Sequence, residues 1–170
     1  MAKYNPVTPK FVDELRRAVG DRYVVTDKDN MLNYVNDESG HEERYFPEVL
    51  VKPANAQEVA SVLALANRER VPVTPRAGGT SLSGSAAPIY GGILLSMERL
   101  NRILEIDEAN FVAVVEPGVQ LRELYQAVEE RGLYYPPYPG EPSAHIGGNV
   151  STNAGGMRAV KYGVTRHHVL

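Results

Sequence analysis

The 170-residue chain contains no cysteine. That absence removes disulfides, a thiol nucleophile and any iron–sulfur cluster ligated by cysteines of the chain. Electrons leaving a redox group held here must therefore pass to something else. Charge of one sign is also lacking: 18 basic and 21 acidic residues give a formal net charge of −3, which leaves no basic footprint for nucleic acid. No apolar run approaches the length of a membrane span. The first twenty residues mix Lys3, Lys10, Asp13, Glu14, Arg16 and Arg17 without an apolar centre, so no secretory signal is predicted and a cytoplasmic location is the default expectation. Histidine is sparse. His167 and His168 are adjacent, which on a strand points them to opposite faces and makes them a poor chelating pair, and His41 is expected at the surface. The chain shows neither a Ser-His-Asp ordering nor paired carboxylates placed for hydrolysis.

What is present is glycine, gathered in two stretches. The first is Pro75-Arg76-Ala77-Gly78-Gly79-Thr80-Ser81-Leu82-Ser83-Gly84, which follows the strand-like Val71-Pro72-Val73-Thr74 and runs through Gly91-Gly92 into the strand-like Ile93 to Ser96. Gly78, Gly79 and Gly84 can take positive φ, and successive N–H groups in such a turn form an anion-binding nest. Thr80, Ser81, Ser83 and Ser85 add hydroxyls, and Arg76 adds a fixed charge suited to phosphate. No Gly-Lys-Ser/Thr closes the loop and no Gly-x-Gly-x-x-Gly opens a helix, which counts against a P-loop NTPase and an ordinary Rossmann dehydrogenase. A flexible linker or a plain tight connection is the other reading of this stretch, opposed by Leu82 and by apolar strands on both sides.

The second stretch runs from Ile146 to Gly156. Ser143 is predicted to cap a helix on which Ile146, Val150 and Ala154 recur every four residues. Wound at that pitch, Gly147, Gly148, Ser151, Ala154 and Gly155 form an arc of small side chains, bordered by the amides of Asn149 and Asn153. A flat ring or another backbone can lie on such an arc, so ligand contact and close helix packing both stay open. Two polar, glycine-rich stretches together point to one large ligand held by backbone, and a dinucleotide fits best. A noncatalytic nucleotide- or phosphate-binding module is the alternative, and it leaves the second stretch without a task.

The composition, 43% hydrophobic and 23% charged, suits a globular domain with a real core. The expected class is α/β, or α+β, with mixed sheets flanked by helices. Thr8 and Pro9 open a helix bearing Phe11, Val12, Leu15 and Val19, which Gly20 closes, and residues 21 to 46 read as a polar, irregular wrapping segment. Val49 to Val51 reads as a strand, and Asn55 with Glu58 as a capping box for the helix of Val59, Val62, Leu63 and Ala66. Strands follow at Ile103 to Ile106 and Phe111 to Val115, then a helix on Leu121, Leu124, Tyr125 and Val128 ending at Gly132. The run Tyr134 to Pro139 cannot be regular helix, and its tyrosines either shield the loop or touch ligand; Val164 to Leu170 reads as entry into another strand.

The first loop, the turn Glu116-Pro117-Gly118-Val119 and the run from Pro139-Gly140-Glu141-Pro142-Ser143-Ala144-His145 through Lys161-Tyr162-Gly163 resemble the vanillyl-alcohol-oxidase and p-cresol-methylhydroxylase (PCMH-type) FAD-binding fold, and within it the glycolate oxidase FAD subunit and D-lactate dehydrogenases. The resemblance covers about residues 47 to 170, behind an N-terminal helical extension of residues 1 to 46. It implies that Arg76, Ala77, Gly78, Gly79, Thr80, Ser81, Leu82, Ser83 and Gly84 line the FAD pyrophosphate. It likewise brings Pro139, Gly140, Glu141, Ser143, Ala144 and His145, with Gly148, Asn149, Thr152, Asn153, Ala154, Gly155 and Gly156, to the pyrophosphate and the isoalloxazine. His145 can contact flavin or simply serve the helix entry.

Tyr138 stands where close relatives often carry an acidic residue, and the first loop lacks the histidine that anchors flavin in flavinylated relatives, so FAD is expected to be noncovalent. The implied reaction is oxidation of a small 2-hydroxy acid, with an iron–sulfur subunit or an electron-transfer flavoprotein as electron acceptor. Family members acting on an alkyl glycerone phosphate or an enolpyruvyl sugar nucleotide are the close variants. The family's catalytic base and substrate cap lie beyond the matched part, so catalytic residues are expected outside this chain, which by itself is expected to be inactive.

Overall fold

The computed structural model describes residues 4–40 and 42–170, which places the expectation for His41 outside the described residues. Two compact units divide the chain, one up to Arg99 and one from Leu100.

In the first unit α1 (Pro9–Val19) begins as its sequence dictates: the Thr8 hydroxyl accepts from Phe11 N at 3.2 Å, and Pro9 occupies the first turn. At α2 (Ala56–Glu69) Asn55 Oδ1 accepts from Glu58 N at 2.8 Å, and the Glu58 carboxylate accepts from Ala54 N. The sheet is ordered β1 (Val24–Val25), β2 (Val49–Val51), β4 (Ile93–Ser96), β3 (Val73–Arg76). β2 and β3 run parallel to β4 on either side, while β1 pairs antiparallel with β2.

Every residue of β2 and β4 is buried, as expected of parallel strands covered on both faces. Side-chain alternation divides the core. Val49, Val51, Ile93 and Leu95 pack with Phe11, Leu15 and Val62 of the helices, while Leu50 and Leu94 meet Met31 on the opposite face. Residues 21 to 46 are thus more than an irregular wrap: Val24 and Val25 form a strand, and tight turns at Asp21–Tyr23 and Asp29–Tyr34 deliver Met31 to the core. Periodicity missed this because a two-residue strand has no period. The third strand begins at Val73 instead of Val71 and extends through Arg76.

The second unit contains the antiparallel hairpin β5 (Ile103–Asp107) and β6 (Val112–Val115), turned by Asp107, whose carboxylate accepts from the N–H groups of Ala109 and Asn110 at 3.0 Å each. Phe111 lies in that turn with φ +58°, outside the strand predicted for it. Helix α3 (Leu121–Glu129) buries Leu121, Leu124 and Val128 against Val119, Ala144 and Ile146. Glycine-rich α4 (Ile146–Thr152) and the one-turn α5 (Ala159–Tyr162) follow. Thr165–His168 is a tight helical turn and not the predicted strand entry; His167 Nδ1 accepts from Val164 N within it. Among the described residues no helix is long and apolar enough to cross a membrane.

Candidate FAD-binding segments

Each unit carries one of the two glycine-rich stretches. In the first, β3 ends on Arg76 and the chain leaves it as an irregular loop, with Gly79 at φ +72° and Gly84 at φ +76°. Gly78 does not take positive φ. Among the described residues, no hydrogen bond is donated by the backbone N–H groups from Ala77 to Leu82. Six successive donors left to solvent or ligand are the raw material of an anion nest. The hydroxyls are organised around Ser81, whose Oγ lies 3.1 Å from Ser83 Oγ and 2.8 Å from Ser85 Oγ. Thr80 is half-buried, and Leu82 is 79% exposed, so it does not anchor the loop.

Arg76 departs from the expectation of a charge presented to phosphate. Its side chain is buried; Nη1 donates to Asn36 O at 2.7 Å and Nη2 to Asn33 O at 3.2 Å. Burial pushes its pKa down, with Asp37 opposing that shift. The guanidinium also fills the space that a side chain at Gly79 would need.

In the second unit Glu141 accepts from Ser143 N at 2.8 Å, which stabilises the turn after Pro139 and Gly140, and the Ser143 side chain together with its N–H holds the Glu141 carboxyl below its ordinary value. Ser143 is not the helix cap. His145 occupies the N-cap position of α4, one residue after the buried Ala144, and pairs with Gln120 in an isolated bridge. The helix is shorter than the apolar pattern suggested, because Asn153 at φ +52° ends it. Ala154 and Gly155 therefore lie beyond the helix, and the arc of small residues reduces to Gly147, Gly148 and Ser151.

Neighbouring glycines differ in what surrounds them. At Gly148 an added Cβ would meet nothing within 4 Å, whereas at Gly147 it would meet Pro117 Cβ at 2.5 Å. At Gly156, with φ +106°, the space is taken by the Tyr138 carbonyl, so this residue serves the closure of the Tyr138–Pro139 loop. Thr152 Oγ1 donates back to Gly148 O, Asn153 Oδ1 accepts from Arg166 N, and the Ala154 carbonyl accepts from Thr165 Oγ1. Asn149 is 6% exposed, and among the described residues its Nδ2 has no hydrogen-bond partner. A buried amide donor beside an open glycine fits a flat heteroaromatic ring with acceptor atoms. The tyrosine run packs against other parts of its unit: Tyr138 stacks on Tyr125 of α3 with ring centroids 6.0 Å apart, Tyr134 meets Tyr162, and Tyr125 donates to Pro137 O at 2.6 Å. Burial raises the Tyr125 pKa to about 12. A separate cleft of about 790 Å³ is lined by Phe111, Val114, Leu133, Tyr135, Val150 and Leu170 and includes none of the residues expected to bind cofactor.

Sequence reasoning missed Asp37, whose carboxylate accepts from Ser39 N at 3.1 Å and from Ala86 N at 3.3 Å. Burial raises its pKa, but these hydrogen bonds and Arg76 outweigh that, leaving it lowered. Its partners lie 2 and 49 residues away, and only the near one has a local signal.

A family model described as an FAD binding domain matches residues 47–170. The chain is 45% identical over 167 residues to a D-lactate dehydrogenase from Anaerostipes hadrus, covering 98% of this chain and 35% of that protein. It is 44% identical over 125 residues to the glycolate oxidase subunit GlcD of Bacillus subtilis, covering 73% and 27%. Among solved structures, p-cresol methylhydroxylase with substrate bound superposes with a TM-score of 0.74 at 26% identity, over 85% of this chain and 29% of that one. An alkyldihydroxyacetonephosphate synthase, at 22% identity, shares the fold with a TM-score of 0.83 over 95% of this chain and 35% of that one. The chain thus spans about a third of the length of the relatives it matches. By this match, and with its two glycine-rich segments in place, the chain belongs to the PCMH-type FAD-binding domain family of FAD-linked oxidoreductases.

Proposed function

We propose that the chain is the FAD-binding portion of an oxidoreductase that oxidises a small 2-hydroxy acid of the glycolate or D-lactate type. Six consecutive N–H groups from Ala77 to Leu82 that donate to none of the described residues carry the cofactor assignment, because a row of unused backbone donors in a glycine-rich turn suits a pyrophosphate. In this reading the backbone of Ala77 to Gly84, with the hydroxyls of Thr80, Ser81 and Ser83, takes the pyrophosphate, and Gly148 and Asn149 take the ring. Pro139 to His145 and Thr152 to Gly156 shape the approach to them. Bound FAD supplies the hydride acceptor, and the protein orients it and tunes its electronics. The binding is noncovalent.

The substrate class rests on relatives named D-lactate dehydrogenase, glycolate oxidase subunit and D-2-hydroxyglutarate dehydrogenase. In this reading the two glycine-rich segments hold cofactor, and the base and the carboxylate-gripping groups are not among their residues. The reading includes a cytoplasmic location and a partner, an iron–sulfur subunit or an electron-transfer flavoprotein, that removes electrons. Anaerobic addition of D-lactate, glycolate or D-2-hydroxyglutarate to the FAD-loaded whole enzyme tests it. One of these bleaches the flavin absorbance, and an unbleached spectrum with all three removes the hydroxy-acid assignment.

A further inference from the structure

The first glycine-rich loop is gripped at both ends by one short segment, residues 33 to 37. At its start, Arg76 donates to the carbonyls of Asn36 and Asn33 and lies against Gly79. At its far end, Asp37 accepts from Ala86 N. The gripping segment is itself fixed. Val35 is buried at 1% exposure, and Tyr34 Oη donates to Glu98 Oε2 at 2.7 Å while accepting from Lys52 Nζ at 2.9 Å, side chains that follow β4 and β2. The loop between the grips contributes almost no hydrogen bonds of its own backbone, so its shape is set from outside.

We propose that residues 33 to 37 are a strap that presets the loop for its anionic ligand, with Arg76 and Asp37 as positioning residues that act through the strap and not by touching the ligand. The inference rests on the reading of this loop as the pyrophosphate site. Its chemical basis is geometric: two carbonyls 3 residues apart need the planar fork of a guanidinium, which a lysine ammonium does not reproduce. Preorganisation then matters because a loop ordered before binding does not have to be ordered by the ligand.

Arg76→Lys separates the two roles of the charge. A phosphate-facing arginine replaced by lysine keeps most of its effect, whereas a strap-holding one loses it. The measurements are hydrogen exchange at the hydrogen-bonded amides of Ala86 and Ala87, where the loop ends, in the 170-residue chain without ligand, and FAD titration of the same samples. Arg76→Lys and Arg76→Gln are both expected to speed exchange at these amides about tenfold or more and to weaken FAD binding by a similar factor, with Leu50 and Leu94 amides unchanged. Asp37→Asn, which removes no positive charge, shifts both readouts in the same direction and keeps the test open if the arginine variants fail to fold. Wild-type exchange and affinity in Arg76→Lys, or unchanged loop exchange in Asp37→Asn, overturns the strap. If the variants speed loop exchange but the unsubstituted chain binds no FAD, the strap stands and the FAD assignment of the loop falls.

Discussion

Gly147 sits directly on Pro117: its N–H donates to the Pro117 carbonyl at 2.8 Å, and a Cβ at Gly147 would meet Pro117 Cβ at 2.5 Å. Adjacent Gly148 faces open space. The helix therefore uses one glycine for a close approach within the protein and leaves the space beside the next one open. Gly147→Ala is expected to destabilise the chain by about 1–3 kcal/mol through overpacking. Gly148→Ala is expected to stabilise it by up to about 1 kcal/mol, because alanine replaces glycine inside a helix with nothing to hit. Urea denaturation of both variants checks the contrast, and Gly148→Leu, still folded, is expected to lose FAD binding.

Asn149 carries a second separation of stability from binding. Its buried Nδ2 makes no hydrogen bond among the described residues, so Asn149→Leu, close in shape, removes a desolvated donor and leaves stability unchanged or raises it by about 1 kcal/mol. FAD affinity falls about tenfold if that donor serves the ring. Thermal melts and FAD titration on one preparation read both effects.

Gly156 tests the closure of the Tyr138–Pro139 loop. With φ at +106° and the Tyr138 carbonyl in the place of a side chain, Gly156→Ala is expected to cost about 3 kcal/mol from strain and collision together. The same denaturation series measures it.

The cluster of Lys52, Tyr34 and Glu98 makes stability depend on pH. Burial raises the Glu98 pKa, but hydrogen bonds from Lys52 and Tyr34 outweigh it and leave the carboxyl below its ordinary value. Its contribution is therefore present above the unfolded carboxylate pKa of about 4.3 and is lost as pH falls through the lower folded value. Lys52 is raised on balance, its partners outweighing burial, so its contribution is lost only as pH climbs through a folded pKa above that of a free lysine. Glu98→Gln is expected to flatten the acid side of the stability profile, read by urea melts at a series of pH values.

The sequence showed the elements that local rules govern. Thr8 and Asn55 mark their helix starts with a side chain three residues from the amide it accepts, and the apolar runs of β2 and β4 announce burial. Glycine content marked the two segments on which the proposed site rests, yet it did not separate the packed Gly147 and Gly156 from the open Gly148, because that difference is made by Pro117 and Tyr138 folding back from elsewhere in the chain. Arg76 was legible as a functional charge, but its partners are carbonyls 40 and 43 residues away that no pattern advertises. Helix α4 was drawn too long for a similar reason: Asn153 turns left-handed where Arg166 N, 13 residues on, meets its side chain.

The measurement that bears most directly on the central claim is an equilibrium titration of FAD into the purified 170-residue chain, followed by quenching of flavin fluorescence and repeated with the Gly79→Leu and Gly148→Leu variants. Saturable quenching at one FAD per chain, lost in both variants while their folded circular dichroism persists, is the predicted result. No saturable binding by the unsubstituted chain, or equal binding by all three, contradicts the assignment of these segments to the cofactor.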